Sequence, residues 1–199
     1  EIGSGLVGSE MCIRDRNKGE IFISRDQFGI KPLYYYHDGD TILFGSEIKS
    51  FLAYPKFKKV LNKELIGAYL TFSFTPTDET FFKGVYRLPS GHSMTIDVKK
   101  RKIKIDRYFK VEFGNTDKSF DEVVKDISAA MKDSTEHHLI SDVEVGSFLS
   151  SGVDSSYLVS LAKPDKTYTI GFDLAKYSEI DYAKDLTDKL NIKLSLIHI

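Results

Sequence analysis

The sequence predicts an α+β unit followed by an α/β unit, and three observations predict it. Between Glu20 and Ile105, apolar and aromatic residues fall in short runs separated by Gly and Pro turns, which is the pattern of antiparallel strands with little helix between them. From Ser119 onward a helical spacing takes over, and two strand-like runs, one ending at Leu149 and one at Phe172, are each followed by a helix. Between the halves lies Gly114-Asn115-Thr116-Asp117-Lys118, polar and turn-forming, the best domain boundary in the chain.

In the first half, Glu20–Ser24 reads as a strand that ends in Arg25-Asp26-Gln27-Phe28-Gly29, a turn that Asp26 can cap and in which Gly29 can take positive φ. Leu33–Tyr36 and Thr41–Ser46 flank Asp38-Gly39, a strong hairpin signal. A short helix follows at Glu47–Leu52, broken by Pro55, and a second helix is expected over Asn62–Thr71. Ser93–Val98 and Lys102–Ile105 form a hairpin around Lys99-Lys100-Arg101, whose charges suit a solvated tip.

The second half opens on a capping box, Ser119 with Glu122, starting a helix whose face carries Val124, Ile127, Met131 and Ser134. Val143, Val145, Phe148 and Leu149 feed the turn Ser150-Ser151-Gly152-Val153-Asp154-Ser155-Ser156, and Tyr157–Ala162 reads as a buried helix. Thr167–Phe172 is the next strand. Ser178 caps a last helix on which Ile180, Ala183, Leu186 and Leu190 recur.

Strand, tight turn, helix is the geometry of a phosphate site. Gly152 lets a polyanion approach the backbone, and the first amides of the helix face it with the positive end of the macrodipole. Four serines add hydroxyl donors, and Asp154 is a hard oxygen ligand for magnesium. The Lys of G-x-x-x-x-G-K-[ST] is missing, so this is not a common P-loop. It resembles the S-G-G-x-D-S loop of ATP-pyrophosphatase adenylating enzymes, which cleave ATP between the α and β phosphates, with Ser151 where that pattern has its first glycine. A serine fits there if its φ is negative. A serine-rich turn in any α/β domain is the plainer alternative.

R-D-Q-F-G-I-K-P-L-Y-Y, F-G-S-E-I-K and the R-L-P-S-G-H of Arg87–His92 resemble the distal part of the glutaminase domain of glutamine-hydrolysing asparagine synthetases. The resemblance covers Asn17–Lys193. It implies the C-terminal part of an N-terminal-nucleophile glutaminase domain over 17–113, a linker over 114–118, and the first βαβα units of an ATP-pyrophosphatase domain over 119–193. In that family the residue matching Asp26 holds the α-amino group of glutamine; on its own, a carboxylate there caps the turn or pairs with Arg25. Ser150, Gly152, Asp154 and Ser155 match the pyrophosphate cradle, Ser151 departs from it, and Phe148 and Ile170 match strand positions that contact the nucleotide. The implied partners are ATP with Mg, glutamine and aspartate, in the cytoplasm, with a homodimer compatible. Two alternatives share these residues: a related amidotransferase acting on another carboxylate, and a non-catalytic nucleotide-binding module supported only by Ser151.

Both ends carry an expectation of another kind. Glu10–Arg16 can be written GAG ATG TGT ATA AGA GAC AGA, and the reverse complement of its ATG TGT ATA AGA GAC AG core begins CTG TCT CTT ATA CAC AT, which reads Leu-Ser-Leu-Ile-His-Ile, the sequence of 194–199, once a final C is supplied. Residues 1–16 and 194–199 are therefore expected to be read-through into a sequencing-library transposon end. Cys12, which follows Met11 as a glutaminase nucleophile would, then belongs to that stretch, and no catalytic nucleophile is assigned. Cys12 is the single cysteine, so disulfides and cysteine-based metal sites are excluded. His37, His92, His137 and His138 make no ligand spacing. A net charge of −1 over 199 residues gives no support for nucleic acid as the main partner. Ile2–Val7 is too short for a signal core, and no run approaches a membrane span.

Overall fold

The computed structural model describes residues 10–171 and 178–198. The chain divides into two compact units, Glu1–Gly114 and Asn115–Ile199.

The first unit is built on two antiparallel sheets. One has the order β1-β2-β6-β7, from Glu10–Asp15, Glu20–Arg25, His92–Asp97 and Lys102–Arg107; the other has the order β4-β3-β5, from Ile42–Gly45, Tyr34–His37 and Val85–Arg87. Period-two alternation in β6 places Met94 and Ile96 inward, opposite Ile23 and Ile21 of β2. With Leu33 and Leu88 these make the main core, against which Tyr35, Ile42 and Phe44 of the second sheet pack. A second cluster gathers Phe51, Phe57 and Val85. The β3–β4 hairpin turns as expected, with Gly39 at φ +97° and Asp38 Oδ1 accepting the amides of Asp40 and Thr41. Ile48–Ala53 is a single 3-10 segment, and α1 spans Glu64–Phe72.

The second unit has α2 (Phe120–His138), β8 (Gly146–Phe148), α3 (Val153–Ala162), β9 (Lys166–Gly171), α4 (Ile180–Leu190) and β10 (Lys193–His198). Its sheet is parallel, in the order β10-β9-β8. Leu149, Val159 and Ala183 are the buried cluster, with Leu186, Leu190, Ile192 and Leu194 packed on it. The capping box is present in full: Ser119 Oγ accepts the Glu122 amide, and the Glu122 carboxylate accepts the Ser119 amide.

Four expectations need correction. The apolar run before the loop is only three residues of strand, with Val143 and Phe148 about three-quarters exposed, because β8 is a sheet edge and burial on both faces needs a layer on each. Only Val159 of α3 is fully buried, while Tyr157 and Leu158 stay accessible. On α2 the buried residue is Thr135; Val124, Ile127 and Ser134 are exposed and Met131 is half-buried. The N-cap of α4 is Glu179, with no side-chain cap, rather than Ser178. Phe172 and Ile2–Val7 lie outside the described residues.

Both end stretches form strands, Glu10–Asp15 against β2 and Lys193–His198 beside β9. Backbone pairing at a sheet edge is open to any proline-free, β-favouring run.

Candidate functional site

Two sets of site residues are expected, one in each unit. In the first, the turn after β2 is framed by the main chain of Asp26, whose carbonyl accepts from Gly29 N at 3.3 Å and Gly91 N at 2.8 Å. Asp26 Oδ2 accepts the amides of Phe28 and Ile30, each at 3.0 Å. Oδ1 is buried and has no partner. A buried carboxylate oxygen without a donor is costly, and this marks the turn as a candidate site.

Arg25 does not pair with Asp26. Its guanidinium, 8% exposed, donates to three carbonyls: Nε to Lys31 at 2.9 Å, Nη1 to Leu88 at 2.6 Å and Nη2 to Gly29 at 3.0 Å. Burial lowers its pKa, and the Arg87 charge lowers it further. Gly29 has φ +67°, and a Cβ there would lie 2.7 Å from Arg25 Nη2, so turn and clamp require glycine together. Tyr108 OH bonds the Arg25 carbonyl, and the rings of Phe28 and Phe109 meet edge to face at 5.8 Å. A cleft of about 280 Å³ beside the turn is lined by Arg25, Phe28, Asp78, Arg87, Pro89 and Ser90.

In the second unit, Leu149 N bonds Tyr168 O, and Thr169 Oγ1 donates to Leu149 O at 2.8 Å, which ties the end of β8 to β9. The loop then closes on its own hydroxyls. Ser150 Oγ and Ser155 Oγ are 2.8 Å apart, Ser155 Oγ accepts Ser150 N, and Ser150 Oγ accepts Gly152 N. Ser156 Oγ donates to Gly152 O at 2.8 Å, and Ser151 Oγ donates to Glu179 Oε1 at 2.8 Å. All four serines expected to face a ligand thus have protein partners.

The groups without one are the amides of the first turn of α3, which no helix can satisfy internally. Gly152 is the N-cap at φ −73° and ψ 148°, so it is not there for its φ; a Cβ would sit 3.2 Å from Ser150 Oγ. Ser151 avoids the left-handed region, as a serine in that place must. Phe148 and Ile170, 75% and 41% exposed, stand at the C-terminal ends of adjacent parallel strands, the edge at which α/β sheets bind ligands. Asp154 is exposed in the first turn of α3. Among the described residues no group of three or more His, Cys, Asp or Glu could hold a metal ion by itself. One carboxylate completed by phosphate oxygens is nevertheless a set that suits magnesium.

Cys12 lies within β1 opposite Ile23, and partial burial raises its thiol pKa, the opposite of an activated nucleophile. Sequence reasoning missed Arg25 as a clamp, Tyr108 as its brace and Glu179 as the partner of Ser151. Their bonds span 63, 83 and 28 residues, and no local pattern announces them.

The first unit thus carries a turn carboxylate with one buried, unpartnered oxygen, and the second a serine-glycine-aspartate loop between a parallel strand and a helix. The model of the glutamine amidotransferase domain matches residues 9–109, and that of asparagine synthase matches 126–199. The glutamine-hydrolysing asparagine synthetase 1 of Bacillus subtilis is 38% identical over 198 residues, 97% of this chain and 31% of that protein. A putative glutamine-hydrolysing asparagine synthetase of Methanocaldococcus jannaschii is 34% identical over 89% of this chain and 36% of its own length. The amidase chry2 of Gibberella zeae is 29% identical over 74% of this chain. The chain belongs to the glutamine amidotransferase family, in the form found in glutamine-hydrolysing asparagine synthetases. It spans about a third of the length of the curated relatives it matches.

Proposed function

We propose that the chain is part of a longer, cytoplasmic, ATP-dependent asparagine synthetase. Its first unit is the distal part of an N-terminal-nucleophile glutaminase, and its second begins an ATP-pyrophosphatase domain. Glutamine and water give glutamate and ammonia; ATP and the β-carboxyl of aspartate give β-aspartyl-adenylate and pyrophosphate; ammonia then displaces AMP to give asparagine. The observation that carries the reading is the serine-glycine-aspartate loop at a parallel strand's C-terminal end, inside the asparagine synthase match and after an amidotransferase match.

In this reading Asp26 Oδ1 takes the α-ammonium of glutamine, a charged donor for a buried acceptor without one. The α3 amides hold pyrophosphate oxygens, Ser150, Ser155 and Gly152 keep the loop open, and Phe148 and Ile170 flank the base. Asp154 would hold magnesium, which neutralises charge on the leaving pyrophosphate. The test is made in the full-length protein. Asp26→Asn should raise the KM for glutamine about a hundredfold and spare ammonia-dependent synthesis, whereas Asp154→Asn should cut asparagine formation by orders of magnitude and spare glutamine hydrolysis. Loss of both activities in either variant would refute the division of labour.

A further inference from the structure

Two peptide planes flank the Asp26 Cα, and because the backbone turns only about φ and ψ, fixing both planes fixes the direction in which the carboxylate leaves the chain. The plane after Asp26 is held through its own carbonyl, which accepts Gly91 N at 2.8 Å. The plane before it carries the Arg25 carbonyl, which accepts Tyr108 OH at 2.5 Å. Gly91 is in turn held by the same segment, since its carbonyl accepts the amides of Tyr108 at 2.9 Å and Phe109 at 3.2 Å. Tyr108 therefore reaches both planes, one through its hydroxyl and the other through its main chain and Gly91. The residue is 48% exposed, yet its hydroxyl turns inward to a carbonyl 83 residues away in the chain. Beside it, the Phe109 ring meets Phe28, whose amide is one of the two that Asp26 Oδ2 accepts.

A carboxylate binds an ammonium best when it is aimed before the ligand arrives, because ordering it on binding is subtracted from the affinity. We propose that Tyr108 is a positioning residue for the Asp26 carboxylate: its hydroxyl fixes the peptide plane before Asp26 and so sets the affinity for the α-amino group of glutamine, acting through the backbone. The inference rests on the reading of Asp26 above as the acceptor of that α-ammonium, and adds to it a residue on which the acceptor's aim depends. The amide that glutamine loses lies at the other end of the substrate from its α-ammonium, so the hydroxyl bears on substrate binding and not on the chemical step.

In the full-length protein, Tyr108→Phe removes the hydroxyl and keeps the ring and the main-chain bonds to Gly91. It should raise the KM for glutamine about fivefold, hold kcat for glutamine hydrolysis within about twofold, and leave ammonia-dependent synthesis unchanged. In an Asp26→Asn background, where no carboxylate remains to be aimed, the same substitution should change that KM by less than about twofold. If Tyr108→Phe leaves the KM unchanged while Asp26→Asn raises it, the inference is overturned and the reading of Asp26 stands. If Tyr108→Phe lowers kcat as much as it raises KM, impairs ammonia-dependent synthesis, or adds its full effect to that of Asp26→Asn, the hydroxyl serves the fold at large and the inference is again overturned. If Asp26→Asn leaves the glutamine KM at the wild-type value, both the reading and the inference fall.

Discussion

Arg25→Lys tests whether the turn that carries Asp26 is held by the guanidinium. The native side chain donates to three carbonyls from one planar fork, of which the Leu88 bond is fully buried and those to Gly29 and Lys31 are partly so. An ammonium on a shorter reach satisfies one of the three, and two carbonyls lose a charged donor. A bond to a charged group is worth about 1.5–3 kcal/mol; with water able to reach one of the two orphans, the low end applies, and the loss is about 3 kcal/mol. For a unit of this size each kcal/mol lowers the melting temperature by about 4–8 °C, so the drop is on the order of 10–20 °C. Near-ultraviolet circular dichroism of the tyrosine-rich first unit reads the transition, and hydrogen exchange at the amides of Gly29 and Gly91, both bonded to Asp26 O, reads the turn itself. A shift below about 3 °C with unchanged exchange at those amides would show that the fork is dispensable.

The 199-residue chain as written should release no ammonia from glutamine above a buffer control, because its single cysteine lies within a paired strand and has a raised pKa; turnover in that assay refutes this. In the full-length protein at saturating magnesium, Ser151→Gly should change apparent ATP affinity by less than about threefold, under about 0.7 kcal/mol, since the hydroxyl bonds Glu179 and not a phosphate; a tenfold loss there would place it on the ligand. The Glu122 carboxyl lies below its ordinary pKa, first through the Ser119 hydroxyl and then through the Ser119 amide. The support it lends to α2 is therefore complete above the ordinary carboxylate range and is lost as pH falls through the lowered folded value, which NMR titration of Glu122 checks; titration at or above 4.5 contradicts it.

What was legible in the sequence was what is local. The Asp38-Gly39 hairpin, the Ser119–Glu122 box and the loop between β8 and α3 are each written in fewer than ten consecutive residues, and each is found in place. Burial was not local. Val124 and Ile127 have the spacing of an inward face, but a face is buried only where another layer meets it, and here they are exposed. The serines misled for a related reason: composition shows that a hydroxyl is present, not whether its nearest partner is a phosphate or the adjoining turn. Asp26 was legible only through the resemblance. Its buried, unpartnered Oδ1 depends on amides at 28 and 30 satisfying the other oxygen alone.

In each unit a polar side chain is used to silence the backbone groups that would compete with a ligand. Arg25 saturates the carbonyls of Gly29, Lys31 and Leu88 around the Asp26 turn, so acceptor capacity there is concentrated on one buried carboxylate oxygen, the right complement to an ammonium. Ser150, Ser155 and Ser156 saturate one another and the Gly152 carbonyl, so what remains at the loop is donor capacity in the first amides of α3, the right complement to a phosphate. Ser151 is the exception. Its hydroxyl turns away from the other three serines and donates to Glu179, the N-cap of α4.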